Sequence, residues 1–422
     1  MRDLGKAMSN GPCLIFDKST LQALSLDEAV WLDQFFLCNI TPIFYMETLA
    51  DLEKQVSRGR TPEDVVGGLA FKTPDAGSRP NVHHYTLAFS ELAGNGPVVM
   101  DGRPVVSGGQ DVVLDGEAGV LFRDAPEEDA FRRWHRHEFL DLERLTAKQW
   151  RRALAPSPWL RWMPEVPKPK TLSDLREMVS RLLDRQAQEA VLGDGMALLG
   201  IPDEAQALVC QRWHALERPR LETFAPYFRF VFSVALFSHL AMAADLISRD
   251  RPSHKIDLAY LYYLPFCNIF ASSDKLHAAT VPLFLRPDQA FVQGSDLKAD
   301  LRLLDQHYSS LPEDVRERGL FGFASRPPID GHSLTSSLWD RYRPGWRRGE
   351  ENLASRLDDH QGKSFVEKVM RYAQEATPAS HPIGAPEPDT MVLTRQVYPR
   401  KGKWHRFPPE VEAAHCGPSR KP

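Results

Sequence analysis

What the chain lacks narrows the field first. Its 422 residues include five cysteines, Cys13, Cys38, Cys210, Cys267 and Cys416, an odd number with no Cys-x-x-Cys pair. That argues against a disulfide framework or a cysteine-based zinc site and points to a reducing compartment, so a cytoplasmic location is expected. No sign of charge dominates. Lys and Arg number 52 against 56 Asp and Glu, a formal net charge of -4. The chain therefore exerts no global pull on polyanions, and any such site must be a local patch. The sequence contains no Gly-x-x-x-x-Gly-Lys-Ser/Thr, no Gly-x-Ser-x-Gly and no dinucleotide fingerprint, which removes the common nucleotide-binding and serine-hydrolase readings. No apolar stretch precedes a small-residue cleavage site near Met1, so no secretory signal is expected. The long apolar run from Phe230 to Ile247 is interrupted by Ser233, Ser238, His239 and Asp245 and flanked by Arg229 and Arg249. It reads as a buried core helix, and no membrane partner is expected.

What is present is an ordinary globular balance, 42% hydrophobic and 26% charged, long enough for one large or two to three ordinary domains. Residues 13–16 form a short apolar run ending at Asp17, the pattern of a buried parallel strand with an acid at its carboxyl end. Ser19 or Ser25 can cap a following helix, and Asp27 to Leu37 has helical periodicity. Ile40 to Tyr45 reads as a second strand despite Pro42, and Glu47 to Val56 as a second helix. Strand, helix, strand, helix favours a parallel α/β sheet. Between Pro97 and Phe122, Val-rich runs alternate with Asp101-Gly102, Gly108-Gly109 and Asp115-Gly116, which predicts a small β-meander. Ala130 to Leu154 is amphipathic and Arg-rich, and the prolines from Pro156 to Pro169 make a stiff linker. Asp257 to Tyr263 predicts a helix and Cys267 to Ala271 a short strand leading to Ser272-Ser273-Asp274. From Thr377 onward the chain is Pro-rich and expected to be poorly ordered.

The chemistry concentrates in four acids. Asp17 lies just past a strand, where open α/β sheets place their ligands. Glu47 falls at a helix start after the next strand, Asp257 at the start of a helix, and Asp274 at the end of a third strand. If those strands are neighbours, four carboxylates meet at one sheet edge. Oxygen-only ligation of that kind suits Mg²⁺ or Mn²⁺. The plainer alternatives stay open: Asp17 and Asp257 as helix caps, and Glu47 and Asp51 as first-turn acids suited to the helix dipole. Asp51 and Glu53 are rivals for Glu47, and Asp250 for Asp257.

The segments LIFDKSTL with NITPIFYMETLADLEK, and DLAYLYYLPFCNIFASSDKLH, resemble the two halves of a PIN-domain nuclease. That family carries its first acid in an Asp-x-Asn or Asp-x-Ser setting, matched by Asp17-Lys18-Ser19. Its second acid begins the helix after the next strand and is matched by Glu47. Its third begins a helix, here Asp257. Its fourth follows a strand in a Ser/Thr-x-Asp setting, here Ser272-Ser273-Asp274. The resemblance covers residues 13–56 and about 228–278, with a far longer intervening chain than compact members have. It implies a three-layer α/β/α sandwich with a mostly parallel central sheet. It also implies a Mg²⁺- or Mn²⁺-dependent nuclease, usually acting on RNA, with all four acids as metal ligands. The corresponding division is a core at 1–74 and 225–310, an α+β insertion at 75–224, and a partly disordered extension at 311–422. The rival is a non-enzymatic module that binds nucleic acid or protein on the same fold.

Supporting positions follow. Ser19, Ser272 and Ser273 can hold carboxylates or a metal-bound water by hydrogen bonds, or simply cap helices. Lys275 can meet a phosphate or lie solvated. His254 and His277 fall near the acids and could assist proton transfer, or read as ordinary surface histidines. Arg132, Arg133, Trp134 and Arg136, within a longer Arg-rich helix, offer charge and stacking to nucleic acid. The segment RYRPGWRR at 341–348 offers the same with equally low specificity. Oligomeric state is not legible.

Overall fold

Short runs of fully buried apolar residues build the centre of this protein. The structure, a computed structural model, describes residues 11–50, 59, 61–75, 77–105, 109–114, 117–122, 169–184, 187–248, 251, 253–348, 377–378 and 400–409. Strand β1 (Cys13–Phe16) and strand β6 (Ile269–Ser272) are buried at every position, the pattern of strands covered on both faces. They belong to a five-stranded sheet, order β3-β2-β1-β6-β7, in which β2 is Leu37–Ile40, β3 is Ser78–Pro80 and β7 is Ala290–Gln293. Every pairing in it is parallel. The fold is therefore α/β with a parallel central sheet. The chain steps outward from β1 to β2 to β3, then returns to the other side of β1 with β6 and β7. The direction of winding reverses between β1 and β6.

Helix α1 (Lys18–Ala23) follows β1, and α2 (Leu26–Phe35) follows it with a capping box between Ser25 and Glu28. The second strand ends earlier than its apolar pattern suggests. It closes at Ile40, and α3 (Pro42–Ala50) begins where a continued strand is expected. Proline explains the difference, because its fixed φ and missing N–H suit the first helical position and not a central strand. Helix α4 (Pro62–Ala70) repeats the device with Thr61 as N-cap. Helix α5 is His84–Ala93. Strands β4 (Gly109–Leu114) and β5 (Glu117–Phe122) form one antiparallel hairpin of the β-meander expected over Pro97–Phe122, residues 97–105 form no strand, and β8 (Thr377–Pro378) adds to β4. The Arg-rich helix expected at 130–154 lies outside the described residues.

The next helices are α6 (Leu172–Leu183), α7 (Gln188–Leu198) and α8 (Asp203–Ala215). The apolar run forms α9 (Pro226–Ala243), packed against α5, α6 and α7, with 61% of its most apolar window buried. Glu91 of α5 tethers its first turn, accepting a hydrogen bond from Phe228 N at 2.9 Å. Helix α10 (Ser253–Ala259) continues as a 3-10 segment through Phe266 into β6. Helix α11 (Lys275–Thr280) follows β6, α12 (Gly294–Ser309) follows β7, and α13 is Leu334–Tyr342.

One stretch of the C-terminal region departs from the expectation of poor order. Strands β9 (Arg400–Lys401) and β10 (Trp404–His405) form a small hairpin strapped across α2. Trp404 is buried edge-on against Trp31 at 4.8 Å, and Trp31 stacks on Tyr308 at 4.4 Å. Asp305 collects the indole N–H groups of Trp31 and Trp404 and the Lys403 ammonium, at 3.0, 2.8 and 2.6 Å. Deeper still, the buried Arg406 guanidinium reaches Asp33 at 2.6 Å and also Asp75. Burial alone would raise the Asp33 pKa, but the Arg406 charge reverses that and holds the carboxyl well below its ordinary range.

Removing one partner of a buried ion network strands the others. Arg406→Met is expected to lose roughly 3–5 kcal/mol of stability in urea denaturation. A loss under about 1 kcal/mol would show the strap to be peripheral.

Candidate active site

The carboxyl ends of β1 and β6 lie side by side because their register pairs Phe16 with Ala271. The residues just beyond are Asp17 and Ser272, and Ser272 Oγ donates to Asp17 Oδ2 at 2.8 Å. This is the crevice where the winding reverses, the place open α/β sheets offer to ligands.

Asp17 is buried and heavily held. Its Oδ1 accepts from Thr20 N at 2.9 Å, capping α1, and its Oδ2 accepts from Ser19 Oγ at 2.7 Å. His277 Nδ1 is 3.5 Å from the same oxygen. Burial pushes this carboxyl up, but the His277 hydrogen bond and charge, helped by Thr20 and Ser19, bring it down to about 2. Asp17 is thus both the cap and an ionised member of the site.

His277 corrects the sequence reading, for it is buried and not on the surface. Its Nε2 lies 2.8 Å from the Asp257 carbonyl, which can only accept, so Nε2 carries hydrogen. Its Nδ1 lies 2.8 Å from Ser272 Oγ, whose own hydrogen points to Asp17. With the Ser272 hydrogen on Asp17, Nδ1 would donate as well, the bonding pattern of a protonated ring. Burial would lower the His277 pKa, and its bond to Asp17 raises it overall. The same Ser272 Oγ accepts from Asp274 N at 3.0 Å, so one hydroxyl ties Asp17, His277 and the start of α11 together.

Glu47 and Asp257 sit differently from expectation. Glu47 is not at a helix start but within α3, since that helix opens at Pro42. Its Oε2 accepts from Tyr260 OH at 2.8 Å, and its Oε1 is 3.2 Å from Lys18 Nζ. Asp257 lies inside α10, which begins at Ser253, so the capping alternative falls away. Among the described residues no hydrogen-bond donor reaches its carboxylate. Burial first, then the charges of Glu47, Asp274 and Asp17, opposed by His277, raise the Asp257 carboxyl from 3.8 to about 7. All four acids therefore share one electrostatic neighbourhood. Asp274 caps α11 through Leu276 N at 2.6 Å and is half-buried. Among the described residues, no three His, Cys, Asp or Glu side chains stand arranged as a metal cage.

Ser273 and Lys275 are exposed at the rim. Gly294, opening α12, lies so close that a Cβ there would come within 2.3 Å of Ser273 Oγ. Asp51, Glu53, Asp250, Arg132, Arg133, Trp134 and Arg136 lie outside the described residues. In the 341–348 segment, Arg341 bonds the carbonyls of Pro287 and Gln289, and Arg347 pairs with Asp340 at 2.7 Å while covering Trp346. Those cations are engaged by the protein itself. The tyrosine and lysine on Glu47 carry no motif of their own. A basic residue directly after Asp17 was the one visible hint.

The raised Asp257 carboxyl has a sign that can be checked. A group whose pKa rises on folding stabilises the fold while protonated, and that stability is lost as pH climbs from its unfolded value through about 7. In EDTA the protein is expected to lose stability between about pH 4 and 8, by no more than about 1.4 kcal/mol per pH unit from this proton. Asp257→Asn should flatten that slope in thermal melts. An unchanged slope would place the titration elsewhere.

No family model, curated protein or solved structure matches this chain.

Proposed function

We propose that this chain is a metal-dependent nuclease, an endoribonuclease that acts in the cytoplasm and uses Mg²⁺ or Mn²⁺. The observation that carries the reading is the shared field of Asp17, Glu47, Asp257 and Asp274 at the crevice between β1 and β6. The donor set fits a hard divalent cation. It is all oxygen, it is anionic, and its Asp257 carboxylate lacks a hydrogen-bond donor among the described residues. When bound, one or two such ions would supply an activated water and offset charge on the phosphate during in-line displacement.

The chain's own residues do the positioning. Ser19, Thr20 and Ser272 fix Asp17, and His277 locks Ser272 and the α10 backbone into the same arrangement. Lys275 at the rim would meet a phosphate by charge. Arg132, Arg133, Trp134 and Arg136 would extend the nucleic-acid contact. In this reading the sheet is the middle of a three-layer α/β/α sandwich, and the α+β insertion expected at 75–224, of which β3 joins the sheet, governs access. A second reading, a non-enzymatic binding module, draws on one observation: the Lys18 ammonium already lies against Glu47.

Two measurements separate these readings. Asp274→Asn should keep its fold yet lose metal-dependent cleavage of single-stranded or structured RNA by at least about 100-fold. Full cleavage by both Asp274→Asn and Asp17→Asn would sink the nuclease reading. Independently of turnover, Mn²⁺ at about 100 times its Kd should stabilise the fold by about 2.7 kcal/mol, and Asp257→Asn should diminish the gain.

A further inference from the structure

Helices α6 and α9 pack together and gather three arginines around one carboxylate. Asp184 caps the carboxyl end of α6. Its Oδ1 lies 2.6 Å from a guanidinium nitrogen of Arg229 and 3.6 Å from one of Arg220. Arg220 also donates to the Asp184 carbonyl at 3.4 Å. Arg229 stands near the amino end of α9, where the helix dipole disfavours a cation. Arg176 of α6 is the third. Its Nε donates to the Leu283 carbonyl at 3.2 Å, and its guanidinium lies 4.6 Å over the Phe284 ring. That ring is buried and set edge-on to Phe237 of α9 at 5.1 Å, so the guanidinium rests on a fixed support.

The charges do not balance. Among the described residues Arg176 makes no ion pair, and Asp184 serves all three cations. Burial lowers the Arg176 pKa and the Arg229 charge lowers it further, with Asp184 opposing. A guanidinium does not relieve such crowding by losing its proton. An anion from outside relieves it. Arg176 and Arg229 are half-buried and Arg220 is exposed, so the cluster meets solvent. Forked N–H groups of this kind match phosphate oxygens.

The chain itself ties this cluster to the candidate crevice. Lys275 at the rim opens α11, which continues through a 3-10 turn (Val281–Leu283) to the carbonyl that Arg176 holds. Six helical and three 3-10 residues span at most about 15 Å. A single strand lying across Lys275 would reach the arginines within a few nucleotides.

Resting on the nuclease reading above, we propose that Arg176, Arg220 and Arg229 form a phosphate-binding site that holds the RNA strand outside the crevice. The guanidiniums take backbone phosphate oxygens in charge-assisted hydrogen bonds and do not read bases. They touch no reacting atom.

The test is fluorescence anisotropy of a labelled single-stranded RNA titrated with the full chain in EDTA, at several salt concentrations. Cleavage of the same RNA in Mn²⁺ and thermal melts are measured alongside. The Arg176→Gln/Arg229→Gln protein should bind at least about ten-fold more weakly at low salt, and its log–log salt slope should be shallower by about 1.4, two single-strand phosphate contacts. Arg220→Gln, at an exposed position, should lower the slope by about 0.7, and it carries the test where the double variant melts early. Arg318→Gln, exposed and outside the cluster, should bind as wild type. Cluster variants that bind as wild type overturn the proposal, as does an equal loss in Arg318→Gln or a wild type that binds no RNA. Displacement of RNA by inorganic phosphate as readily as by unlabelled RNA of equal phosphate content would assign the cluster to a free anion and overturn the strand site. A wild type that binds through these arginines but cleaves nothing in Mn²⁺ keeps the site and sinks the nuclease reading. One that cleaves, with binding indifferent to the arginines, sinks the site alone.

Discussion

The parallel pairing of β1 with β6 is the constraint on which the rest of the site depends. It joins residues more than half the chain apart in sequence, Leu14 with Ile269 and Phe16 with Ala271. The ladder extends beyond the strands through side chains, with Ser272 on Asp17 and His277 on the Asp257 backbone. A shift of one residue in that register would turn Asp17 and Ser272 to opposite faces and dissolve the cluster. The apolar residues of both strands are buried on both sides, and that burial is what makes such a shift costly.

Buried charge is handled in two contrasting ways. Around Asp33, Asp75, Lys401 and Arg406, acids and bases alternate and each charge meets an opposite one. At the crevice the balance is tilted. Asp17 is compensated by His277, and Glu47 by Lys18, but Asp257 is left with a field that favours its proton. Networks of the first kind serve architecture. Under the proposed reading, the imbalance at the topological reversal is where a further positive charge would be accepted.

Much of this was legible in the sequence. Asp17 and Asp274 were readable because a short apolar run followed by an acid is a strong local signal. The α9 core helix was readable from its polar interruptions. Glu47 and Asp257 were given the wrong helical positions, because Pro42 and the 3-10 segment at 260–266 moved the element boundaries. Strands β3 and β7 went unseen. At three and four residues, with Pro80 and Gln293 in them, they carry no pattern of their own and exist through their neighbours. His277 and the strap at 400–409 were missed for a related reason. A polar residue's burial is set by partners far away in sequence, which periodicity does not encode.

The strap also joins the two ends of the described chain through one charge network. Asp33 and Asp75 are made early, and β2 and β3 emerge soon after and beside them. The guanidinium that lies between those two carboxylates is translated more than three hundred residues later. Asp33 can accept from the backbone N–H groups of Asp75 and Gly77 at 3.2 and 2.7 Å without that guanidinium, so α2 and the approach to β3 are joined by local bonds as well. The charge network around Asp33 and Asp75 is completed only by residues from the far end of the described chain, Lys401 and Arg406.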